Sequence, residues 1–267
     1  MAARTSRRLL DAPLSGGADT LDDAYAVQRE VTSLRLGRGE RVVGWKLGYT
    51  SRAMREQMGV AEPNLGPLTD VMLLAGTSRG AGGRPAVVPG AAVQPRVEPE
   101  IALRLGRPLA PGCTVDDVLD ACRGAGAGQD ASGAGAFGCL EVVDSVWSGY
   151  RFRLEDNTSD GSSAGWVVLG DRLPLDDLPA VGVRLLVDDV CVAEATGAAA
   201  GGHPASGVTW LANEVGRRYG RRLEAGDVVI TGGLTAAHPL LPGGVVSAVF
   251  APGPPGRDVR VAATLDR

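Results

Sequence analysis

Glu98 and Glu100 stand one residue apart in Arg96-Val97-Glu98-Pro99-Glu100-Ile101-Ala102-Leu103, a run that otherwise has the character of a buried strand. In an extended segment residues i and i+2 share a face, so both carboxylates point into one mostly apolar neighbourhood. Like charges held that close are costly unless a cation joins them or one of them takes a proton. Glu141, in Cys139-Leu140-Glu141-Val142-Val143-Asp144, is a third acid in a similar setting. Three carboxylates with open positions suit Mg²⁺ or Mn²⁺, which keep waters or accept substrate oxygens in the remaining octahedral positions. Glu-x-Glu by itself is unspecific, and two solvated acids on an edge strand remain the competing reading at this level.

The elements that must position these acids follow from the surrounding pattern. Thr20 with Asp23 reads as a helix cap, and Leu21, Ala24, Val27, Val31 and Leu34 recur at helical spacing, which predicts an amphipathic helix ending near Gly37. A strand through Val42, Val43 and Trp45 carries Lys46 just before Gly48, and a second helix is expected from Ser51, its cap, to about Met58. Pro63, Gly66 and Pro67 mark a loop that delivers Asp70. Thr114 and Asp117 cap a short helix to about Cys122, and the Gly/Ala tract from Gly124 to Gly138 reads as a surface loop. Strands are expected at 139–143, 165–169, 182–193, 227–231 and 245–250, and a helix from Ser206 to about Tyr219. Strands that seldom alternate with helices favour an α+β chain with a mixed, mainly antiparallel sheet. Residues 1–75 read as a helical amino-terminal cap region and 76–267 as a mixed β catalytic domain, the two forming one integrated unit.

Composition limits the partners. The 267 residues are 44% hydrophobic but only 4% aromatic, so the core must be built from Val, Leu and Ala. A formal charge of −4 and a pI near 5.3 argue against nucleic acid or an anionic membrane and for a small-molecule substrate. No stretch approaches the ~20 apolar residues of a membrane span. Cys113, Cys122, Cys139 and Cys191 form no CxxC pair, and with no signal-peptide pattern at the start they suggest a reduced, cytoplasmic protein. Cys122 and Cys139 read as small buried hydrophobes. Two histidines, His203 and His238, make a His-rich zinc site or a Ser-His-Asp triad hard to assemble.

Five runs in order carry a resemblance over about residues 20 to 250: Ala24-Tyr25-Ala26-Val27-Gln28, Gly44-Trp45-Lys46-Leu47-Gly48-Tyr49-Thr50-Ser51, Gln94-Pro95-Arg96-Val97-Glu98-Pro99-Glu100-Ile101, Glu141-Val142-Val143-Asp144-Ser145 and Leu223-Glu224-Ala225-Gly226-Asp227-Val228-Val229-Ile230-Thr231-Gly232. Together they resemble the 2-keto-4-pentenoate hydratase and 4-oxalocrotonate decarboxylase group of the fumarylacetoacetate hydrolase superfamily. The resemblance implies a distorted, barrel-like mixed β-sheet with a helical amino-terminal part. It also implies Mg²⁺ or Mn²⁺ held by Glu98, Glu100 and Glu141, a homo-oligomer, and association of decarboxylase with hydratase. Thr231-Gly232-Gly233-Leu234-Thr235-Ala236-Ala237 and Tyr150-Arg151-Phe152-Arg153-Leu154 lean toward the decarboxylase. One departure stands out: where the group shows Ala-Asp-Asn-Ala-Ser-Ser, the segment from Asp156 to Gly165 matches only at Asp160 and Ser163, with Gly161 at the Asn position and Ala164 at the second Ser.

The chemistry so implied is loss of CO₂ from the far end of 2-oxohex-3-enedioate, with the developing dienolate charge stabilised at the cation that polarises the C2 carbonyl. Lys46 is expected near the substrate's carboxylate or enolate oxygen, able to move a proton if its pKa is depressed, with Leu47 beside the substrate. Asp70 is expected to orient Lys46 or transfer a proton, a plain turn aspartate being nearly as good a reading. Asp144 is expected to support a ligand or cap a strand. Thr231, Gly232 and Gly233 offer backbone N–H groups to a substrate carboxylate, against the alternative of a tight turn chosen for its geometry. His238 can face the pocket, whereas His203 before Pro204 suits a loop or cap. The alternatives are hydration of a 2-hydroxydienoate, hydrolysis of an acylpyruvate, and a non-catalytic partner subunit that has kept the fold.

Overall fold

The computed structural model describes residues 6–11, 19–51, 55–56, 59–74, 84–123, 133–253 and 258–266. Its fold is α+β, with two mixed sheets. The first comprises β1 (Val42–Gly48), β2 (Asn64–Thr69), β3 (Leu73–Leu74), β5 (Arg96–Arg104), β6 (Gly135–Val143), β7 (Ala164–Leu173) and β10 (Val228–Ile230) in the order β2-β1-β10-β5-β6-β7-β3, with β11 (His238–Pro239) also on β5. The second runs β4-β13-β12-β8-β9, from β4 (Ala86–Val88), β8 (Gly182–Val187), β9 (Val190–Thr196), β12 (Val245–Ala251) and β13 (Val259–Leu265). Phe250 of β12, fully buried, lies over Gly138 of β6, where a Cβ would come within 2.5 Å of its ring. The sheets can close together there because β6 offers bare backbone. Strands from residues 42–74 share a sheet with strands beyond residue 76, so the amino-terminal region contributes strands as well as helix.

Helix α1 (Leu21–Leu36) begins as the sequence implies, with Thr20 and Asp23 forming a reciprocal capping box. Its buried face is not the expected one: Val27 and Leu34 are 43% and 49% exposed, and Ala24, Tyr25 and Gln28 face inward. Polar burial is tolerated because Gln28 Nε2 donates to Leu65 O at 2.8 Å and Thr158 O at 2.7 Å, and the Tyr25 hydroxyl accepts from Leu65 N–H. Thr114 and Asp117 likewise cap α2 (Val115–Arg123). Helix α4 (Pro204–Tyr219) has His203 as its cap, Nδ1 accepting from Ala205 N–H at 3.0 Å, with Gly220 in the left-handed conformation at its end.

Three expectations are corrected. The loop read from Pro63, Gly66 and Pro67 is in fact β2, entirely buried and antiparallel to β1. It ends the sheet, so the N–H that Pro67 lacks is not missed. The strand expected over 182–193 is a hairpin whose turn residues Asp188 and Asp189 both have positive φ, 47° and 65°. The Gly/Ala tract is outside the described residues over 124–132, but from Gly135 it belongs to β6. The helix expected from Ser51 falls largely on residues outside the described set.

Candidate active site

Antiparallel pairing of β5 with β6 sets Glu98 directly opposite Glu141 and Glu100 opposite Cys139. Alternation on β5 puts Glu98 and Glu100 on one face, and a carboxylate oxygen from each of the three acids lies within 4.8 Å of the other two. Glu100 and Glu141 are buried, while Glu98 is partly open to a cavity. Lys46 on β1 reaches the cluster from the other side of β10, its Nζ 2.6 Å from Glu141 Oε1. Gly232 N–H donates to Glu100 Oε2 at 2.7 Å. That leaves Glu100 Oε1 and Glu141 Oε2, both buried, with no hydrogen-bond partner among the described residues.

Orphaned buried carboxylate oxygens are rare, because an uncompensated charge is expensive away from water. Three carboxylates against one ammonium leave the cluster two negative charges in excess. An all-oxygen donor set of this charge and spacing fits a hard divalent cation. Without one, burial foremost and then the Glu141 charge, against the pull of Lys46, push the Glu98 carboxyl up to about 8. Glu100 moves the same way, through burial and then the charges of Glu141 and Glu98. Burial pulls the Lys46 pKa down, but Glu141 and then Glu98 outweigh it and set it above its ordinary value. The acids around Lys46 thus favour its ammonium form.

A cavity of about 370 Å³ opens beside Glu98. Lys46, Leu47, Arg96, Ser163 and Gly233 border it, with Val143, Phe152, Ala236 and Ala237 as apolar wall. Tyr49, Tyr150, Asn157 and Ser162, which the sequence reading did not assign to the site, also line it. Asn157 Nδ2 donates to Ser163 Oγ at 2.8 Å, and its Oδ1 accepts from Asn64 Nδ2 at 3.0 Å and the Tyr49 hydroxyl at 3.2 Å. Ser162 Oγ donates to Asn64 Oδ1 at 2.9 Å. Tyr49, Tyr150, Ser162 and Ser163 all have positive φ, between 56° and 60°. Strained backbone of this kind persists only where the surroundings enforce it, and here it surrounds one cavity.

The structure brings an amide to Ser163 from outside the motif position: Asn157, four residues before Gly161, meets Ser163 as the turn at Ser162-Ser163 curls back toward it. Asp70 does not orient Lys46: its carboxylate accepts from Arg41 N–H at 3.0 Å and Arg41 Nε at 3.1 Å, which holds it below the usual carboxylate range. The Gly232 N–H is taken by Glu100 and so is not free for a substrate carboxylate, while the Thr231 hydroxyl donates to Ile101 O. The Gly-Gly pair is needed for fit, since a Cβ at Gly233 would sit 2.4 Å from Glu98 Oε2. Leu47 turns its Cδ1 toward Gly207 of α4. Asp144 accepts from Val93 N–H and Gln94 N–H, fixing the approach to β5. His238 is not among the residues bordering the cavity.

The fumarylacetoacetate (FAA) hydrolase C-terminal family matches residues 41–255. The 2-hydroxyhexa-2,4-dienoate hydratase of Comamonas testosteroni is 34% identical over 251 residues, 90% of this chain and 85% of its own. The 4-oxalocrotonate decarboxylase of Pseudomonas sp. strain CF600 is 35% identical over 228 residues, 84% of this chain and 79% of its own. Among solved structures, the 4-oxalocrotonate decarboxylase of Pseudomonas putida G7, complexed with magnesium and adipate, superposes with a TM-score of 0.84 at 29% identity, covering 99% of this chain and 94% of that one.

Proposed function

The chain belongs to the fumarylacetoacetate hydrolase family, and from that premise we propose that it is a divalent-metal-dependent decarboxylase of a 2-oxo dicarboxylic acid, converting 2-oxohex-3-enedioate (4-oxalocrotonate) to 2-hydroxypenta-2,4-dienoate and CO₂. The observation that carries it is the trio Glu98, Glu100 and Glu141, gathered around orphaned oxygens at the edge of a mostly apolar-walled cavity. Mg²⁺ or Mn²⁺ held by the trio would supply Lewis acidity at the C2 carbonyl of a 2-oxo acid.

Decarboxylation breaks the C5–C6 bond. Its electron pair forms C4=C5, the former C3=C4 pair moves to C2=C3, and the C2 oxygen takes up the charge and then a proton. The Lys46 ammonium, paired with Glu141 beside the trio, would offset part of the charge that develops on that oxygen. Val143, Phe152, Ala236 and Ala237 keep water from the dienolate. Ser163, Ser162 and Asn157 supply the polar wall that orients the substrate chain. The same wall favours a second reading, water addition to a 2-hydroxydienoate, since a hydroxyl and an amide side by side can hold a water. The proposal includes a homo-oligomer, and association with a partner hydratase.

With Mg²⁺ present, CO₂ release from 2-oxohex-3-enedioate and hydration of 2-hydroxypenta-2,4-dienoate are assayed in parallel. CO₂ release is expected; hydration without CO₂ would replace the first reading by the second. If neither reaction occurs and a folded Glu98→Gln variant matches the parent in metal content, the chain is a non-catalytic partner subunit.

A further inference from the structure

We infer that Arg96 receives the carboxylate at the far end of the substrate and so makes the site selective for diacids over monoacids of the same length. This rests on the reading that a 2-oxo acid is held at the carboxylate trio. The cations bordering the cavity, among the described residues, are Lys46 and Arg96. Lys46 is committed to Glu141. Arg96 has no carboxylate within ion-pair distance among the described residues, and its guanidinium lies 4.5 Å from the centroid of the Tyr150 ring. Stacking on a ring face occupies the flat side of a guanidinium and leaves its in-plane N–H fork free for a bidentate acceptor. The platform is itself fixed, because the Tyr150 hydroxyl lies 2.9 Å from Val143 O and 3.1 Å from Gln94 O. A half-buried, planar, permanently charged donor facing a cavity calls for an anion.

Spacing supplies the second argument. Arg96 precedes Glu98 by two residues on the same face of β5, an offset of roughly 6.6 Å along the strand. A six-carbon diacid with its 2-oxo end at the trio therefore has its other end within reach of the fork. The hydroxyl and amide of Ser163 and Asn157 line the same cavity but bear no charge, so they cannot distinguish a carboxylate from a methyl group in the way a guanidinium does.

The matched probes are 2-oxoadipate and 2-oxohexanoate, which share the 2-oxo acid and differ only in a terminal carboxylate against a methyl. Calorimetric titration into the Mg²⁺-loaded protein should show 2-oxoadipate binding at least tenfold tighter. Arg96→Met should bind the two equally, with the Mg²⁺ affinity unchanged, and Arg96→Lys should keep part of the preference, which also covers a Met variant that fails to fold. Equal binding by the parent protein, or an undiminished preference in Arg96→Met and Arg96→Lys, overturns the inference. If neither acid binds, the 2-oxo acid reading falls and Arg96's role with it. A preserved diacid preference without CO₂ release would sink the decarboxylation alone.

Discussion

At the scale of single residues, the site is a charge problem: three carboxylates face one ammonium, a set that fits the divalent cation proposed for it. Glu100→Gln removes one of the two excess negative charges and one oxygen donor. Mg²⁺ affinity should fall by at least about 10–100-fold, the range seen even when groups behind a metal ligand are lost. The metal-free protein should melt higher than its parent as pH rises, because a buried acid that must either hold its proton or bear an uncompensated charge has gone, and should gain little from added Mg²⁺. Melting curves with chelator and with Mg²⁺ decide this; a parent-sized Mg²⁺ increment in the variant would show that Glu100 holds no ion. Acidity gives a second handle. Glu98 shifts from its ordinary 4.5 up to about 8, so between those values the metal-free fold keeps a proton that the unfolded chain has released. Its contribution is complete below pH 4.5 and disappears as pH rises through 8, and Glu100 acts in the same direction. The melting temperature in chelator should therefore fall from pH 5 to 8.5. Mg²⁺ displaces that proton, so its affinity should climb about tenfold per pH unit below 8 for each proton released, a slope that titrations at several pH values measure directly. An affinity flat with pH would mean that Glu98 is already ionised.

Elements hold these residues in place by close backbone approach as much as by side-chain packing. Gly44 of β1 lies against Val228 of β10, and a Cβ there would come 2.0 Å from Val228 O. Gly44→Ala must push β1 off its parallel neighbour, an overpacking of about 1–3 kcal/mol, or roughly 3–10 °C in melting temperature for a chain of this size. Lys46 is two residues on, so turnover should fall beyond what lost stability accounts for; a folded variant with parental kcat would show that Lys46 tolerates the shift. The sequence announces elements through local signals, and those were readable: the Thr20–Asp23 and Thr114–Asp117 caps, the Val-rich strands, and the paired acids of β5 with Glu141 on β6. What it hides depends on distant partners. Gly66 and Pro67 look like a turn and form a strand because they end a sheet; Gln28 looks like solvent-facing helix and is buried because two carbonyls wait for it. Asn157 escaped for a similar reason: Ser163, its partner in the cavity wall, is brought to it by the left-handed turn at Ser162 and Ser163, which no period of apolar residues encodes.

Across the whole molecule, one buried amide joins the amino-terminal helix to the cavity wall. Gln28 Nε2 bridges Leu65 O on β2 and Thr158 O on α3 (Leu154–Ser159), while its Oε1 accepts from the Tyr219 hydroxyl at the end of α4. From Thr158 the chain of contacts continues through Asn64 to Asn157 and Ser163, at 2.9, 3.0 and 2.8 Å. The trio lies outside this web, on β5 and β6, where strand pairing fixes it. Gln28→Leu fills the same space but strands two carbonyls and a hydroxyl, at about 1–3 kcal/mol for each buried group left unsatisfied. Allowing for partial relaxation, a loss of roughly 3–5 kcal/mol is expected in denaturant unfolding. The function of the variant should divide along the same line. Substrate affinity weakens as Asn157 and Ser163 lose their backing, while Mg²⁺ affinity at a temperature where the variant is folded stays at the parental value. If Mg²⁺ affinity drops together with substrate affinity, the helix supports the trio as well as the wall, and the two halves of the site are one mechanical unit.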